Sequence, residues 1–179
     1  DLSKIGRAMV IGGGNTALDA VRELRGLGVA NVTMLYRGRR EVMSGYVHEL
    51  AAAQSEGVAV EWQSVATAFA GEGRVQRVSC LRLDDAKRPI AGSAFTLEAD
   101  LVLMAIGQSK LNAMFAGFHG VEFDHGQIRV NHHGFTGRKG WYAGGDCTND
   151  GKEVVNAAAE GKRAAHAIDA MLSGAHHHA

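Results

Sequence analysis

The clearest structural signal in the sequence is the stretch Val10-Ile11-Gly12-Gly13-Gly14-Asn15-Thr16-Ala17-Leu18-Asp19. The apolar run at residues 8–11 is continuous rather than alternating, which is typical of a strand buried on both faces of a parallel sheet. Three glycines end this run, and apolar residues then recur at helical spacing as Ala17, Val21, Leu24 and Leu27. Gly26 and Gly28 offer a stop for that helix. Residues 32–36 predict a second strand, so the opening segment is a βαβ unit with a right-handed crossover.

The glycine turn has the pattern Gly12-x-Gly14-x-x-Ala17, placed between a predicted strand and a predicted helix. The first glycine permits the tight turn, the second lets the backbone approach a pyrophosphate, and the small third residue lets helix and strand pack closely. The free N–H groups of the helix start favour an anion there. The sequence therefore predicts a dinucleotide site in which Gly12, Gly13, Gly14, Asn15 and Thr16 contact the ligand. The alternative is a glycine turn that binds nothing.

A basic loop follows the second predicted strand. Sites that bind NAD usually place a carboxylate here to accept from the ribose 2′-hydroxyl, whereas this sequence has Arg37, Arg39 and Arg40. Guanidinium groups pair with a 2′-phosphate through charge-assisted hydrogen bonds. We therefore expect these arginines to bind NADPH, with NADH the less favoured cofactor. The alternative is a solvated basic loop, partly offset by Glu41.

The rest of the first hundred residues predicts a helix at 47–56 and then three strands. These are residues 58–65, residues 74–83, joined to the first through Gly71-Glu72-Gly73, and a strand through Phe95 and Leu97. They suit an antiparallel excursion before a last parallel strand at 101–106, which Gly107 ends. The predicted fold class is α/β: a Rossmann-like, three-layer domain over residues 1–107 with an antiparallel β excursion.

The amino-acid composition changes after Gly107. Residues 108–140 are rich in Gly, His and Asn, residues 141–143 predict a short strand, and Gly144-Gly145-Asp146 stops it. A helix is predicted over 153–172, with an apolar face of Val155, Ala158, Ala165, Ile168 and Leu172. An acid such as Asp146 can hold a ribose or ribityl hydroxyl, and the helix start can face an electron-rich ring edge. On these residues alone, an N-capping loop is the favoured interpretation.

Composition excludes several classes of protein. Nineteen basic residues balance nineteen acidic ones, so no overall field favours nucleic acid or a membrane surface. The two cysteines are far apart and form no CxxC pair, and the histidines offer no third ligand at metal spacing, so no metal site is predicted. No apolar run approaches roughly 18 residues, and no signal-peptide pattern opens the sequence. The expected location is the cytoplasm, and the closing His176–His178 run is left out of the site.

The motifs together resemble a known group of flavoproteins. The glycine stretch, Leu35-Tyr36-Arg37 and Ala105-Ile106-Gly107-Gln108 are similar to the small subunit of NADPH-dependent glutamate synthase and to the NAD(P)H–flavin portion of dihydropyrimidine dehydrogenases. The stretch Met43-Ser44-Gly45-Tyr46-x-His48-Glu49 leans towards the latter. Residues 142–146 and 152–162 extend the resemblance nearly to the C-terminus. The motifs are specific to the pyridine nucleotide-disulfide oxidoreductase superfamily and do not choose a substrate.

The resemblance implies an NAD(P)H domain inserted into a FAD-binding domain, with residues 108–179 forming the C-terminal part of the latter. It implies that Ala105, Ile106 and Gly107 line the dinucleotide site, that Gly145 and Asp146 hold FAD, and that Glu153, Val154 and Val155 face the flavin. Members usually carry a FAD-binding βαβ unit and a cysteine-rich iron–sulfur domain before this region. The sequence then corresponds to a fragment without either part. Ser44-Gly45, where relatives often have Pro or Arg, departs from the pattern and puts one phosphate contact in doubt.

The expected function belongs to the full-length protein. NADPH would give a hydride to FAD, and electrons would pass through iron–sulfur centres to a larger catalytic partner; the cofactors carry this chemistry, so no catalytic side chain is assigned. Without the FAD βαβ unit, the isolated chain is expected to hold no stoichiometric FAD and to be inactive. The alternative function is a non-catalytic module that senses NADP(H).

Overall fold

A computed structural model describes residues 2–108, 112–115, 117–149 and 151–174. The His176–His178 run lies outside these residues. The strands are β1 (Arg7–Ile11), β2 (Asn31–Leu35), β3 (Ala59–Glu61), β4 (Ser64–Ala70), β5 (Arg77–Arg82), β6 (Phe95–Glu98), β7 (Leu101–Met104), β8 (Phe123–Asp124) and β9 (Gln127–Ile128). The α-helices are α1 (Asn15–Gly26), α2 (Val47–Ser55), α3 (Asp146–Asn149) and α4 (Val154–Leu172), with short 3₁₀ turns at Leu2–Lys4, Arg40–Val42 and Asn112–Phe115. The chain divides into two compact units, residues 1–107 and residues 108–179.

The first unit is built on a parallel sheet in the order β3-β2-β1-β7. Each neighbouring pair is parallel, and Val10 pairs with Met34 on one side and with Leu103 on the other. Strand β1 has a parallel neighbour on each side, which explains why its sequence is continuously apolar from Ala8 to Ile11. All parallel strands end at the same edge, and the glycine turn follows β1 at that edge.

Alternate residues of β1 enter two separate cores. Ala8 and Val10 pack with Leu18 and Val21 of α1 and with Leu50 of α2. Met9 faces the other way, into a core formed with Leu35, Val78, Cys80 and Ala99. The second core joins the parallel sheet to an antiparallel sheet of order β4-β5-β6. The unit therefore has three layers, namely helices, parallel sheet and antiparallel sheet, as the sequence predicts.

The predicted single strand at 58–65 is wrong. Residues Ala59–Glu61 extend the parallel sheet, whereas Ser64–Ala70 belong to the antiparallel sheet. The chain changes sheet at Gln63, whose φ is +46°. This corner is held because the Gln63 N–H donates to the Gly38 carbonyl (3.1 Å) and the Ser64 N–H donates to the Tyr36 carbonyl (3.1 Å). A left-handed residue ends one strand and starts another within two positions.

Asp100 ties the first strand of the parallel sheet to the last. Its carboxylate accepts from the backbone N–H of Gly6 (3.2 Å) and of Arg7 (2.9 Å) and from the Arg7 guanidinium (3.1 Å). The hydrogen bond from the Arg7 side chain, followed by the backbone contacts, lowers the pKa of Asp100. Because these partners belong to the start of β1, the ionised carboxylate stabilises the pairing of β1 with β7.

The second unit has little regular structure before α4. Strands β8 and β9 form a two-residue hairpin. The predicted strand at 141–143 is wrong, because Tyr142 makes only an isolated bridge with Phe135. Aromatic contacts supply much of the packing: the Phe118 and Trp141 rings lie 5.0 Å apart, and Arg138 stacks 4.8 Å above Trp141.

Two predicted apolar faces differ from the structure. Leu27 lies beyond the end of α1 and is 58% exposed, while Leu18 is buried instead. On α4, Val155 (65%) and Leu172 (76%) are exposed, and the covered side carries Ala157, Glu160 and Ala164. Alanine recurs on every side of α4, so residue spacing alone does not distinguish its faces. No helix among the described residues is long and apolar enough to cross a membrane.

Candidate cofactor-binding site

The first two glycines of the turn are required by packing. Gly12 has φ +149°, and a Cβ placed on it would lie 2.1 Å from the Ala105 carbonyl oxygen. A Cβ on Gly13 would lie 2.4 Å from the ring of Tyr36. A side chain at Gly12 would force Ala105 to move and one at Gly13 would force Tyr36 to move, so the turn can pass between these neighbours only as glycine.

Gly14 differs from its two neighbours because its missing side chain leaves open space. A Cβ there would meet only the Ser44 Oγ, at 3.7 Å. Gly14 is the N-cap of α1, with φ −91° and ψ 178°, which is extended backbone that any residue adopts. The first amides of a helix have no partner within that helix, and here they start beside an open surface. This is the geometry a pyrophosphate needs.

The segment after the basic loop closes over the turn. The Gly45 N–H donates to the Gly13 carbonyl (3.0 Å), and the Tyr46 N–H donates to the Asn15 Oδ1 (3.0 Å). The Ser44 hydroxyl also lies 3.5 Å from the Gly13 carbonyl. Ser44-Gly45 therefore supports the glycine turn, whatever phosphate contact relatives make at these positions. Asn15 uses its side-chain oxygen in the same support.

A pocket of about 610 Å³ lies at the carboxyl edge of the parallel sheet. Of the residues expected to bind the dinucleotide, it is lined by Gly12, Gly13, Gly14, Thr16, Arg37, Ala105, Ile106 and Gly107. Asn15, Arg39 and Arg40 are not part of the lining. Ten lining residues were not in the expected set, namely Ile11, Leu35, Tyr36, Ser44, Ser64, Val65, Ala66, Phe69, Lys87 and Met104.

The charged residues that line this pocket are all positive. Arg37 and Lys87 are its two cationic residues, and no Asp or Glu among the described residues lines it. Arg39 instead pairs with Asp85, with Nη1 3.6 Å from Oδ1. Arg40 starts the 3₁₀ turn Arg40–Val42. Of the three arginines that the sequence offers for a 2′-phosphate, the structure brings one into the pocket.

Residues 105–107 line the pocket next to the glycine turn. The Ala105 N–H donates to the Ile11 carbonyl (2.8 Å), which fixes the end of β7 beside the glycine turn. Ile106 is 69% exposed, and Gly107 has φ +92° with no atom within 4 Å of a Cβ placed on it. Exposed Phe69 and Met104 give the same pocket an apolar surface, which suits a flat ring more than a phosphate.

The second unit holds the other expected site residues. Glu160 of α4 secures the turn that carries Gly145 and Asp146: its carboxylate accepts from the Gly145 N–H (2.6 Å), the Thr148 hydroxyl (3.2 Å) and the Asn149 side-chain amide (3.1 Å). The Asn149 hydrogen bond and then the Gly145 hydrogen bond lower the pKa of Glu160. No pattern in the sequence points to this role for Glu160.

The start of α4 presents apolar side chains to solvent. Glu153 is the N-cap, Val154 is 81% exposed and Val155 is 65% exposed. Exposed valines at a helix N-terminus can contact a ring while their amides approach its polar edge. Asp146 begins the four-residue helix α3 and is exposed. These positions are compatible with the FAD contacts that the resemblance implies.

The described residues give little support to a metal site or to a nucleophilic cysteine. No group of three His, Cys, Asp or Glu residues able to hold a metal occurs in the part of the chain that the structure describes. Cys80 is buried and Cys147 is exposed, and both are free thiols. Burial raises the pKa of the Cys80 thiol, which makes a nucleophilic thiolate unfavourable there.

A parallel sheet with a Gly-x-Gly-x-x-Ala turn at its carboxyl edge, next to a cation-lined pocket, is typical of dinucleotide-binding α/β domains. The match to a family of known proteins is direct. The chain belongs to the pyridine nucleotide-disulphide oxidoreductase family, whose model matches residues 2–161. A pyridine nucleotide and a flavin are the cofactors this membership implies.

Curated relatives support the same assignment. The chain is 35% identical to the glutamate synthase [NADPH] small chain of Escherichia coli, over 90% of this chain and 38% of that protein. It is 33% identical to the NADP(+)-dependent formate dehydrogenase subunit beta of Moorella thermoacetica, over 91% of this chain and 24% of that protein. The resemblance to glutamate synthase small chains is confirmed. The chain spans only about a quarter to two fifths of the length of these relatives.

Solved structures share the fold. Thioredoxin reductase of Lactococcus lactis matches with a TM-score of 0.79 at 19% identity, over 94% of this chain and 53% of that one. Thioredoxin reductase of T. acidophilum matches with a TM-score of 0.78 at 24% identity, over 92% of this chain and 53% of that one. These matches confirm the Rossmann-like α/β fold class.

Proposed function

We propose that this chain is the NADPH-binding domain and a C-terminal FAD-binding segment of a flavoprotein oxidoreductase. In the full-length protein, NADPH supplies a hydride to FAD, and the electrons leave through further redox centres to a larger partner. The observation that carries this proposal is the pocket at the carboxyl edge of the sheet. It combines an open Gly14 with the Arg37 cation, and no carboxylate lines it among the described residues.

Each part of the pocket has a distinct task in this proposal. Gly14 and Thr16 receive the pyrophosphate at the start of α1, where the helix dipole and free amides favour an anion. Arg37 binds the 2′-phosphate, and the apolar wall near Met104 and Ile106 shields the nicotinamide ring from water. Arg40, which follows in the same loop, adds to the positive field around the 2′-phosphate. The protein thereby orients the ring and leaves the redox step to the cofactors.

The second unit serves the flavin. Asp146 accepts a hydrogen bond from a ribityl hydroxyl, Gly145 allows the chain to pass close to it, and Glu160 keeps this turn in place. Glu153, Val154 and Val155 present the helix start to the pyrimidine edge of the ring, where backbone amides stabilise negative charge. The names of the relatives support a partner: one is a subunit of a formate dehydrogenase, and another is the small chain of glutamate synthase.

The test of cofactor choice is the substitution Arg37→Ala. A hydrogen bond to a charged group contributes about 1.5–3 kcal/mol, so NADPH should bind more weakly by that amount while NADH changes little. Arg74→Ala is a matched control, because Arg74 is an exposed arginine of the same unit that lies outside the pocket. Calorimetric titrations that show equal losses for the two nucleotides would contradict the assignment.

The second candidate function is a non-catalytic module that senses NADP(H), which the exposed, well-formed pocket would also serve. The absorbance spectrum of the full-length protein separates the two. Bound flavin that NADPH bleaches under anaerobic conditions supports the oxidoreductase. A colourless full-length protein that still binds NADPH supports the sensing module.

A further inference from the structure

We propose that Lys87, on the loop between β5 and β6, is a second contact for the 2′-phosphate of NADPH, in addition to Arg37. The inference rests on the proposed function, because it takes NADPH as the ligand of the pocket. It gives the antiparallel sheet a direct part in cofactor selection. Lys87 has no position in the glycine motif or in the basic loop, so the sequence patterns do not reveal it.

The first support is its place in the pocket. Lys87 lines the same cavity as Tyr36 and Arg37, although fifty residues separate it from Arg37 in the sequence. Among the described residues, neither the Lys87 ammonium nor the Arg37 guanidinium forms an ion pair, and both residues are exposed. Two cations without carboxylate partners therefore face one cavity that no acidic residue of the described chain lines.

The second support is the conformation of the loop that carries Lys87. The φ of Lys87 is +60°, a left-handed backbone conformation that lysine adopts rarely. Asp84 holds it there: the Asp84 carbonyl accepts from the Lys87 N–H (2.8 Å), and the Asp84 carboxylate accepts from the backbone N–H of Ala86 (2.9 Å) and Arg88 (2.8 Å). These contacts, the Arg88 backbone first, lower the pKa of Asp84, so the carboxylate is ionised at neutral pH.

The third support is a tether between this loop and the basic loop. Asp85 pairs with Arg39 (3.6 Å) and accepts from the Gln63 side-chain amide (3.1 Å). The Leu83 N–H donates to the Gln63 carbonyl. Asp85 thus links the loop that carries Lys87 to the loop that carries Arg37, and Arg39 acts as a positioning residue through Asp85.

The chemistry favours a phosphate monoester as the shared ligand. A 2′-phosphate carries close to two negative charges at neutral pH and has three acceptor oxygens. A planar guanidinium and a compact ammonium can approach different oxygens of one such group. A free ribose 2′-hydroxyl has neither the charge nor the acceptors, so Lys87 should increase affinity for NADP(H) and leave NAD(H) unaffected.

The experiment compares Lys87→Ala with Lys4→Ala. Lys4 is an exposed lysine of the same unit, in a 3₁₀ turn before β1, so its loss removes the same charge away from the pocket. NADP⁺, NAD⁺ and the fragment 2′,5′-ADP are titrated by calorimetry at two salt concentrations. We expect Lys87→Ala to raise the Kd of NADP⁺ and of 2′,5′-ADP about tenfold, with NAD⁺ unchanged. We also expect the salt dependence of NADP⁺ binding to decrease and Lys4→Ala to behave as the parent protein.

The outcomes separate this inference from the function on which it rests. If Lys87→Ala matches Lys4→Ala while Arg37→Ala still loses NADP⁺ selectively, the role of Lys87 is refuted and the NADPH assignment stands. If the unaltered protein shows no preference for NADP⁺ over NAD⁺, both are refuted. Lys87→Glu is a second variant: it should exclude NADP⁺ more strongly than Lys87→Ala, and a thermal melt checks that the loop change leaves the fold intact. Binding of NADP⁺ to Lys87→Glu as tight as to Lys87→Ala would also overturn the inference.

Discussion

The substitution Gly14→Val separates what the glycine turn does for the fold from what it does for the ligand. Gly14 has extended backbone angles, and a Cβ on it meets only the Ser44 Oγ at 3.7 Å. Losing glycine from an N-cap costs about 0.5–1 kcal/mol. Replacing glycine also lowers the conformational entropy of the unfolded chain, and this stabilises the folded state by about 0.4–1 kcal/mol, which offsets most of the N-cap cost. We expect the melting temperature to change by no more than a few degrees.

The effect on binding should be much larger. A side chain at Gly14 occupies the space through which the pyrophosphate reaches the helix amides. Each lost hydrogen bond to a charged group costs about 1.5–3 kcal/mol, so at least about a tenfold increase in Kd is expected. NADPH and NADH share the pyrophosphate and should weaken equally, in contrast to the selective loss expected for Arg37→Ala.

Gly12→Ala provides the comparison. Its Cβ would meet the Ala105 carbonyl oxygen at 2.1 Å, on backbone with φ +149°. The backbone strain alone costs about 1–3 kcal/mol, and displacement of the Ala105 backbone adds to it. Thermal melts without ligand and titrations with both nucleotides should show Gly12→Ala to be primarily a stability defect and Gly14→Val primarily a binding defect. Normal binding by Gly14→Val would mean that the turn does not receive a pyrophosphate.

Three further predictions concern stability. Ala17→Val adds methyl groups to a fully buried helix position, and overpacking should cost about 1–3 kcal/mol in urea unfolding; an unchanged midpoint would contradict this packing. Asp100→Asn should destabilise the protein at pH 7. Because the folded pKa of Asp100 is lowered, its stabilisation is full above the ordinary value of about 3.9 and is lost as pH falls through the folded pKa. The difference in unfolding free energy from the parent should therefore shrink below about pH 4, and a constant difference would refute the role of ionisation. Glu160→Gln should speed hydrogen exchange at the Gly145 amide, measured by mass spectrometry at neutral pH, with exposed Glu72→Gln as the control.

The parallel core could be predicted from sequence because its signal is local. β1 is apolar from Ala8 to Ile11, and the glycine turn and helix spacing follow without interruption, so strand, turn and helix can be placed within one or two residues. The presence of an antiparallel sheet was predicted correctly, but the boundaries of its strands were not. The change of sheet at Gln63 depends on hydrogen bonds to Tyr36 and Gly38, which are distant in sequence, and glutamine carries no signal for positive φ.

The candidate site shows the same division between local and distant signals. The Gly12–Gly14 motif and Arg37 lie in one continuous segment, so their type and spacing predict a shared pocket. Lys87 and Phe69 enter that pocket from the antiparallel sheet, and no pattern in their own neighbourhood distinguishes them from ordinary surface residues. The role of Glu160 has no sequence signal for a related reason: a glutamate in a helix usually faces solvent, and its three donors come from Gly145 and the preceding short helix α3.

The ring of Tyr36 makes three positions of the sequence interdependent. A Cβ on Gly13 would lie 2.4 Å from this ring, and a Cβ on Gly38 would lie 2.7 Å from it. Neither glycine can be replaced while the ring stays in place, whereas a smaller residue at position 36 would release both constraints. A sequence could therefore move away from the present arrangement only in one order: Tyr36 shrinks first, and side chains at 13 and 38 follow. In the reverse order, the intermediate sequences have a side chain at position 13 or 38 that clashes with the Tyr36 ring.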